Sequence, residues 1–155
     1  MKRLLVICLV LLSACSNRAY DGAPLHIAVI GEKPDIDNAH ITFEPSSLHA
    51  LAQGVDGIDA VIITPSAFEE ASDDRYIDVY RSADVPIIFF DSPKRHFPFV
   101  RGGLTYHEAN WESLNNGSHT TVYSFDEQTK TEHASYFFVQ HDEEAMYAEL
   151  FEFIA

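Results

Sequence analysis

Histidine is the side chain with the most chemistry to offer in this sequence. There are eight, and His107, His119, His133 and His141 fall in the second half, beside Glu108, Asp126 and Asp142. Imidazole nitrogens and carboxylate oxygens can hold zinc without thiolates, and a zinc-bound water opens metal-assisted hydrolysis. The spacing fits no metal motif: His107-Glu108 lacks the second histidine of H-E-x-x-H, and His141-Asp142 stands alone. A metal-assisted hydrolase using His107 and Asp126 therefore ranks last, and no metal, cofactor or catalytic residue is assigned. The two cysteines, Cys8 and Cys15, are both near the N-terminus, so residues 16–155 hold no thiol nucleophile, thiolate ligand or disulfide. G-x-G-x-x-G, G-x-x-x-x-G-K-[ST] and G-x-S-x-G are absent too, which argues against nucleotide-binding and hydrolase classes.

Charge narrows the partners. Ten Lys and Arg face 24 Asp and Glu in 155 residues, a formal net charge of −14. Such acidity opposes nucleic acid and repels anionic lipid surfaces. An apolar fraction of 46% argues for a packed core rather than disorder, and the length suits one domain.

The N-terminus carries an address. Met1-Lys2-Arg3 is a short cationic stretch, followed by nine apolar residues, 4–12. Nine helical residues rise only about 14 Å, well short of a bilayer core of roughly 30 Å. Leu12-Ser13-Ala14-Cys15 follows, and this segment resembles the lipobox of bacterial lipoproteins. The resemblance implies cleavage before Cys15, its acylation, and an extracytoplasmic protein held by lipid at the cell membrane or outer membrane. Ser16 follows in place of the aspartate that retains Gram-negative lipoproteins at the inner membrane. That implies the outer membrane in such a cell and the plasma membrane in a Gram-positive one. Each buried lipid CH₂ contributes about 0.8 kcal/mol, and a diacylated cysteine supplies the second chain that stable anchoring needs. Residues 1–14 are thus read as a signal peptide, 15–24 as a lipidated tether and 25–155 as one α/β domain. Without Lys2 and Arg3, eight cations would face 24 acids in 141 residues, a net charge of −16.

The elements follow from apolar periodicity. Residues 26–31, 59–64 and 85–91 are continuous apolar runs, the pattern of strands buried on both faces, and Ile41 to Glu44 can form another short strand. Ser46 or Ser47 can cap a helix carrying Leu48, Leu51, Ala52 and Val55; Ser66 to Glu69 forms a capping box for a helix running to Ala83. Asn116-Gly117 predicts a hairpin between 105–113 and 120–126, which would set His107 against Asp126 and Trp111 against Val122. Residues 134–140 read as a third antiparallel strand. The last helix starts near Asp142, with the stripe Met146, Leu150, Phe153 and Ile154. The fold class is α/β: a three-layer-like domain with a short parallel sheet (Rossmann-like or flavodoxin-like), extended by a C-terminal antiparallel meander and a terminal helix.

Two surfaces can carry function. Residues 57–93, one strand–helix–strand unit, resemble part of the periplasmic-binding-protein-like sugar binders. That resemblance implies a sugar-like ligand lined by Gly31, Glu32, Thr64, Ser66, Asp91 and Ser92, a placement that agrees with the carboxyl-end rule for open α/β sheets. The second surface joins aromatic Phe97, Phe99, Tyr106 and Trp111 to basic Lys94, Arg95 and Arg101, and suits an envelope protein or glycan. The resulting expectation is a membrane-anchored, non-catalytic binding or interaction module, with small-ligand binding at the strand ends as the alternative.

Overall fold

The computed structural model describes residues 19–155; the expected signal peptide and Cys15 lie outside the described residues. Six strands, β1 (Leu25–Ile30), β2 (Ile41–Ser46), β3 (Ala60–Ile63), β4 (Ile87–Phe89), β5 (Thr120–Asp126) and β6 (Thr131–Phe137), form one mixed sheet. Their order is β2-β1-β3-β4-β5-β6, parallel through β4 and antiparallel from β4 to β6. The parallel part has the 2-1-3-4 order of flavodoxin-like doubly wound sheets, and the chain reverses its direction of winding between β1 and β3. The expected α/β class, parallel sheet, antiparallel meander and terminal helix are all present.

Because side chains alternate across a strand, each apolar run feeds two cores. Ala28, Ile30, Val61, Ile63, Ile87 and Phe89 face one side, with Leu48 and Leu51 of α1 (Leu48–Gln53), Phe68 of α2 (Phe68–Ala71), Tyr80 of α3 (Ile77–Ser82) and Phe99 of α4 (Phe97–Val100). Ile27, Ile62, Ile88 and Val122 face the other, under Met146, Leu150 and Phe151 of α5 (Glu143–Ile154). Ser47 caps α1, accepting from Ala50 N–H, and Asp142 caps α5, accepting from Ala145 N–H.

The expected helix from Ser66 to Ala83 is broken. Ser66 sits in a 3-10 turn and does not cap α2, which has no side-chain cap. At Ser72 the hydroxyl donates to Glu69 C=O and accepts Tyr106 N–H, while Asp73 caps a second 3-10 turn. Such local side-chain bonds compete with helix continuation.

The expected hairpin at Asn116-Gly117 is not formed. A strand has two edges, and β5 gives one to β4 and the other to β6; Val122 is paired with Ile88 and Ser135. Residues 105–113 therefore form no strand; Tyr106 N–H and His107 N–H donate instead to Ser72 and Glu69, and just beyond the segment Asn115 bridges to Lys94. The turn that does link antiparallel strands follows Asp126, whose Oδ1 accepts Gln128 N–H at 2.8 Å and Thr129 N–H at 3.0 Å. Those bonds, from Thr129 above all, hold the Asp126 carboxyl below its usual range.

Two further expectations shift. β6 begins at Thr131 and ends at Phe137, leaving Phe138 and Val139 exposed beyond the strand. On α5 the buried face is Met146, Ala148, Leu150 and Phe151, whereas Phe153 is exposed with its ring edge-on to Phe137. The tether reading also changes. Tyr20 is buried, its ring against Phe151 and His40, its hydroxyl donating to Ala23 C=O at 2.6 Å. Aromatic burial on this scale belongs to a domain, so the folded unit includes Tyr20.

Candidate functional site

At the winding reversal, β1 is followed by Gly31, with φ of +101°. A Cβ there would lie 2.3 Å from Thr64 Oγ1 and 2.6 Å from Ser66 Oγ, so only glycine allows this approach. Glu32 N–H donates to Ser66 Oγ at 2.9 Å, Thr64 Oγ1 donates to Ile30 C=O at 3.4 Å, and the two hydroxyls stand 3.4 Å apart. Gly31, Glu32, Thr64 and Ser66 therefore do come together, but the two hydroxyls and the Glu32 N–H are bonded within the chain, and the Glu32 carboxylate stands in solvent. Thr64 is buried, and the neighbouring hollow, lined by Val29, Gly31, Lys33, Phe43 and Pro45, holds about 130 Å³. Small-molecule sites run to roughly 300–1,000 Å³.

Asp91 and Ser92, at the end of β4, join a different set. Asp91 adopts φ of +55°, its exposed carboxylate 3.7 Å from His119 Nε2. His119 Nδ1 meets Thr120 Oγ1 at 2.8 Å, and the imidazole lies edge-on to Phe90. Ser92 is fully buried, donating to Lys94 C=O at 3.1 Å with Tyr106 OH at 3.3 Å. It is a structural hydroxyl, closed to ligand. Burial raises the Tyr106 phenol, opposed by the Ser92 hydrogen bond.

The loops beyond β4 separate the aromatic residues by depth. Phe99 is wholly buried, stacked on Phe89 at 3.9 Å, and is corrected from contact residue to core. Tyr106 is half-buried between Phe68 and Phe99. Phe97 is half-buried under the Arg101 guanidinium, and Arg101 is itself paired with Glu132 at 2.8 Å. Arg95 is half-buried near the Tyr136 ring. Trp111 alone of these rings stands open, 51% exposed. A continuous aromatic patch is thus replaced by a single exposed indole.

That indole borders a cleft of about 440 Å³, lined by Pro93, Lys94, Ala109, Asn110, Trp111, Glu112 and Asn115. Its walls are fixed by Arg95 N–H to Leu114 C=O at 2.7 Å, with Leu114 buried, and by Asn116 N–H to Pro93 C=O at 3.3 Å. Lys94 Nζ donates to Tyr106 C=O at 2.6 Å and to Asn110 Oδ1 at 3.3 Å, and lies over the Tyr106 ring. Burial lowers its ammonium below the usual lysine range, against the pull of Glu69. Asn110, Glu112 and Asn115 were not singled out in the sequence; the bridge that gathers them around Trp111 is a long-range contact without periodicity.

His96, beneath this loop, is buried, with Nδ1 2.9 Å from Tyr136 OH. Burial pushes its imidazole down to about 4, with Arg101 and Arg95 acting the same way against Glu132. Around the corner Glu69, Glu70, Asp73, Asp74 and Glu108 line an open acidic groove of about 860 Å³.

The arrangement drawn for a hydrolase does not form. His107 donates its backbone N–H to Glu69 at 2.9 Å, while Asp126 caps the β5–β6 turn. Among the described residues no three His, Asp, Glu or Cys side chains are placed to hold a metal, and no helix is long and apolar enough to cross a membrane. In comparisons with known proteins, no family model, no curated protein and no solved structure matches the chain.

Proposed function

We propose that this protein is a lipid-anchored binding module of the bacterial cell envelope, non-catalytic, which presents the Lys94–Trp111 loops to an envelope partner. The observation that carries the reading is the position of Tyr20. It is buried beside His40, just before β2, and beside Phe151, in the last turns of α5. Those neighbours mark the end of the sheet where the parallel strands begin. Four residues separate Tyr20 from Cys15, so the Cα of the lipid-bearing cysteine could stand no further from that of Tyr20 than about 18 Å of extended chain. Strands of six residues span about 20 Å. The loops around Trp111 follow β4 and precede β5, at the opposite end of the sheet. Anchoring at Cys15 would thus hold the domain close to the bilayer with this cleft turned outward.

The test is metabolic labelling with an alkyne-bearing fatty acid, followed by membrane fractionation. The full chain should carry label and sediment with membranes, and Cys15→Ala should lose both. Unlabelled wild-type protein, or membrane retention of Cys15→Ala, would overturn the anchor.

A further inference from the structure

We propose that the cleft beside Trp111 is a binding site for neutral glycan, with one pyranose ring stacked on the exposed indole. The inference deepens the envelope-module reading and rests on it for the supply of ligand, though binding can be tested without the anchor.

Three observations carry it. First, Trp111 is 51% exposed while Phe99 and Tyr106, on the same stretch, are drawn into or against the core. A large ring left in water at the rim of a fixed cleft offers apolar area at little ordering cost, and the C–H face of a pyranose is a flat partner for it. Second, the cleft holds about 440 Å³, within the range of small-ligand sites and several times the hollow at the β1 strand end. Third, beside Lys94 its polar rim carries two amides and a carboxylate. Among the described residues, Glu112 forms no ion pair and Asn115 uses only Oδ1, accepting Gly117 N–H at 3.0 Å. The Asn115 NH₂ and the Glu112 oxygens thus supply donors and acceptors together, as vicinal hydroxyls require.

Charge selects neutral ligand. The one cation lining the cleft, Lys94, is already directed to Tyr106 C=O and Asn110 Oδ1, and the one anion, Glu112, balances it. An anionic glycan would meet no free cation here and a protein of net charge −14. A basic peptide would be drawn instead to the groove of Glu69, Glu70, Asp73, Asp74 and Glu108.

Trp111 is the only tryptophan in the sequence, so intrinsic emission reports on this cleft alone. The probes are the β-1,4-linked tetramer of N-acetylglucosamine, maltotetraose and pentalysine, titrated into the protein from Tyr20 onward and into the full chain. A saturable blue shift with either oligosaccharide, insensitive to salt between 50 and 500 mM (about a threefold change in screening length), is expected. Glu112→Ala should weaken it about tenfold with the fold intact by circular dichroism. Trp111→Ala, followed by amide chemical shifts at Asn110 and Asn115, should lose it. No spectral change with either sugar at 20 mM, or a salt-sensitive change with pentalysine alone, would overturn the proposal. Neither result touches the Cys15 labelling, so the two readings fail separately.

Discussion

Thr64 and Ser66 direct their hydroxyls onto the backbone and each other at the end of β1 and β3, and Gly31 is pressed against both. Beyond the neighbouring strand β4, the loops from Pro93 to Asn115 are pinned by backbone bonds yet leave an indole, an amide and a carboxylate facing water. Both regions lie at the same end of the sheet, and topology favours the first as a ligand site. The contrast teaches that position in a fold nominates a site but unsatisfied chemistry makes one. At the winding reversal the hydroxyls of Thr64 and Ser66 already have partners within the chain; beside Trp111 the scaffold is satisfied and the rim is not.

The largest effect should come from breaking the closed region. Gly31→Ala places a methyl 2.3 Å from Thr64 Oγ1 on a backbone with φ of +101°. Left-handed strain of about 1–3 kcal/mol adds to overpacking of about 1–3 kcal/mol. Urea denaturation should therefore show a loss of several kcal/mol. A loss below 1 kcal/mol would mean that the strand ends have slack, and that the hydroxyls can swing away to receive a ligand.

The second effect sharpens the contrast from the open side. His96 is buried beneath the loops with its imidazole pushed down to about 4, against 6.5 when unfolded. Protons then bind the unfolded chain more readily between those two values, so stability is complete above about pH 6.5 and falls as the pH drops towards 4. The shift corresponds to about 3 kcal/mol at most. Folding measured from pH 7.5 to 4 should lose stability in that window, and His96→Phe should flatten this part of the profile. Hydrogen exchange should report the acid loosening first at amides around 93–101 and only later at Thr64. Uniform loosening would place the weak point elsewhere.

The same contrast marks what the sequence could disclose. The runs at 26–31, 59–64 and 85–91 needed only hydrophobicity to be read, since strands buried on two faces carry no alternation to misjudge. The class of fold followed from their order. Asn116-Gly117 misled because hairpin chemistry is local, whereas the edges of β5 are allotted by β4 and β6, distant in sequence. Ser66 to Glu69 spells a capping box locally, but the Ser66 hydroxyl bonds Glu32 N–H across 34 residues, a partner that no local pattern shows. Phe99 lies in a short helix flanked by Pro98 and Val100, too brief to show a period, so its burial against Phe89 had no local signature. Lys94 and Trp111 were legible as unusual residue types. Their gathering with Asn110, Glu112 and Asn115 rests on the bridge between Lys94 and Asn115 and on the bonds from Lys94 Nζ to Tyr106 C=O and Asn110 Oδ1, which no spacing rule encodes.

The smallest effect is the most decisive for the open region. Trp111→Ala removes the largest side chain in the protein, and a buried tryptophan would cost about 3–5 kcal/mol. At 51% exposure, outside both cores, it should cost within about 0.5 kcal/mol, as surface substitutions do. Far-UV circular dichroism in urea measures this without the lost fluorophore. An unchanged midpoint leaves an aromatic ring that stabilises nothing in the folded chain, and such a ring is free to stabilise something else. A loss above 2 kcal/mol would make Trp111 a lid on the Leu114 anchor. The cleft would then be as self-satisfied as the strand ends, and the difference between the two regions would disappear.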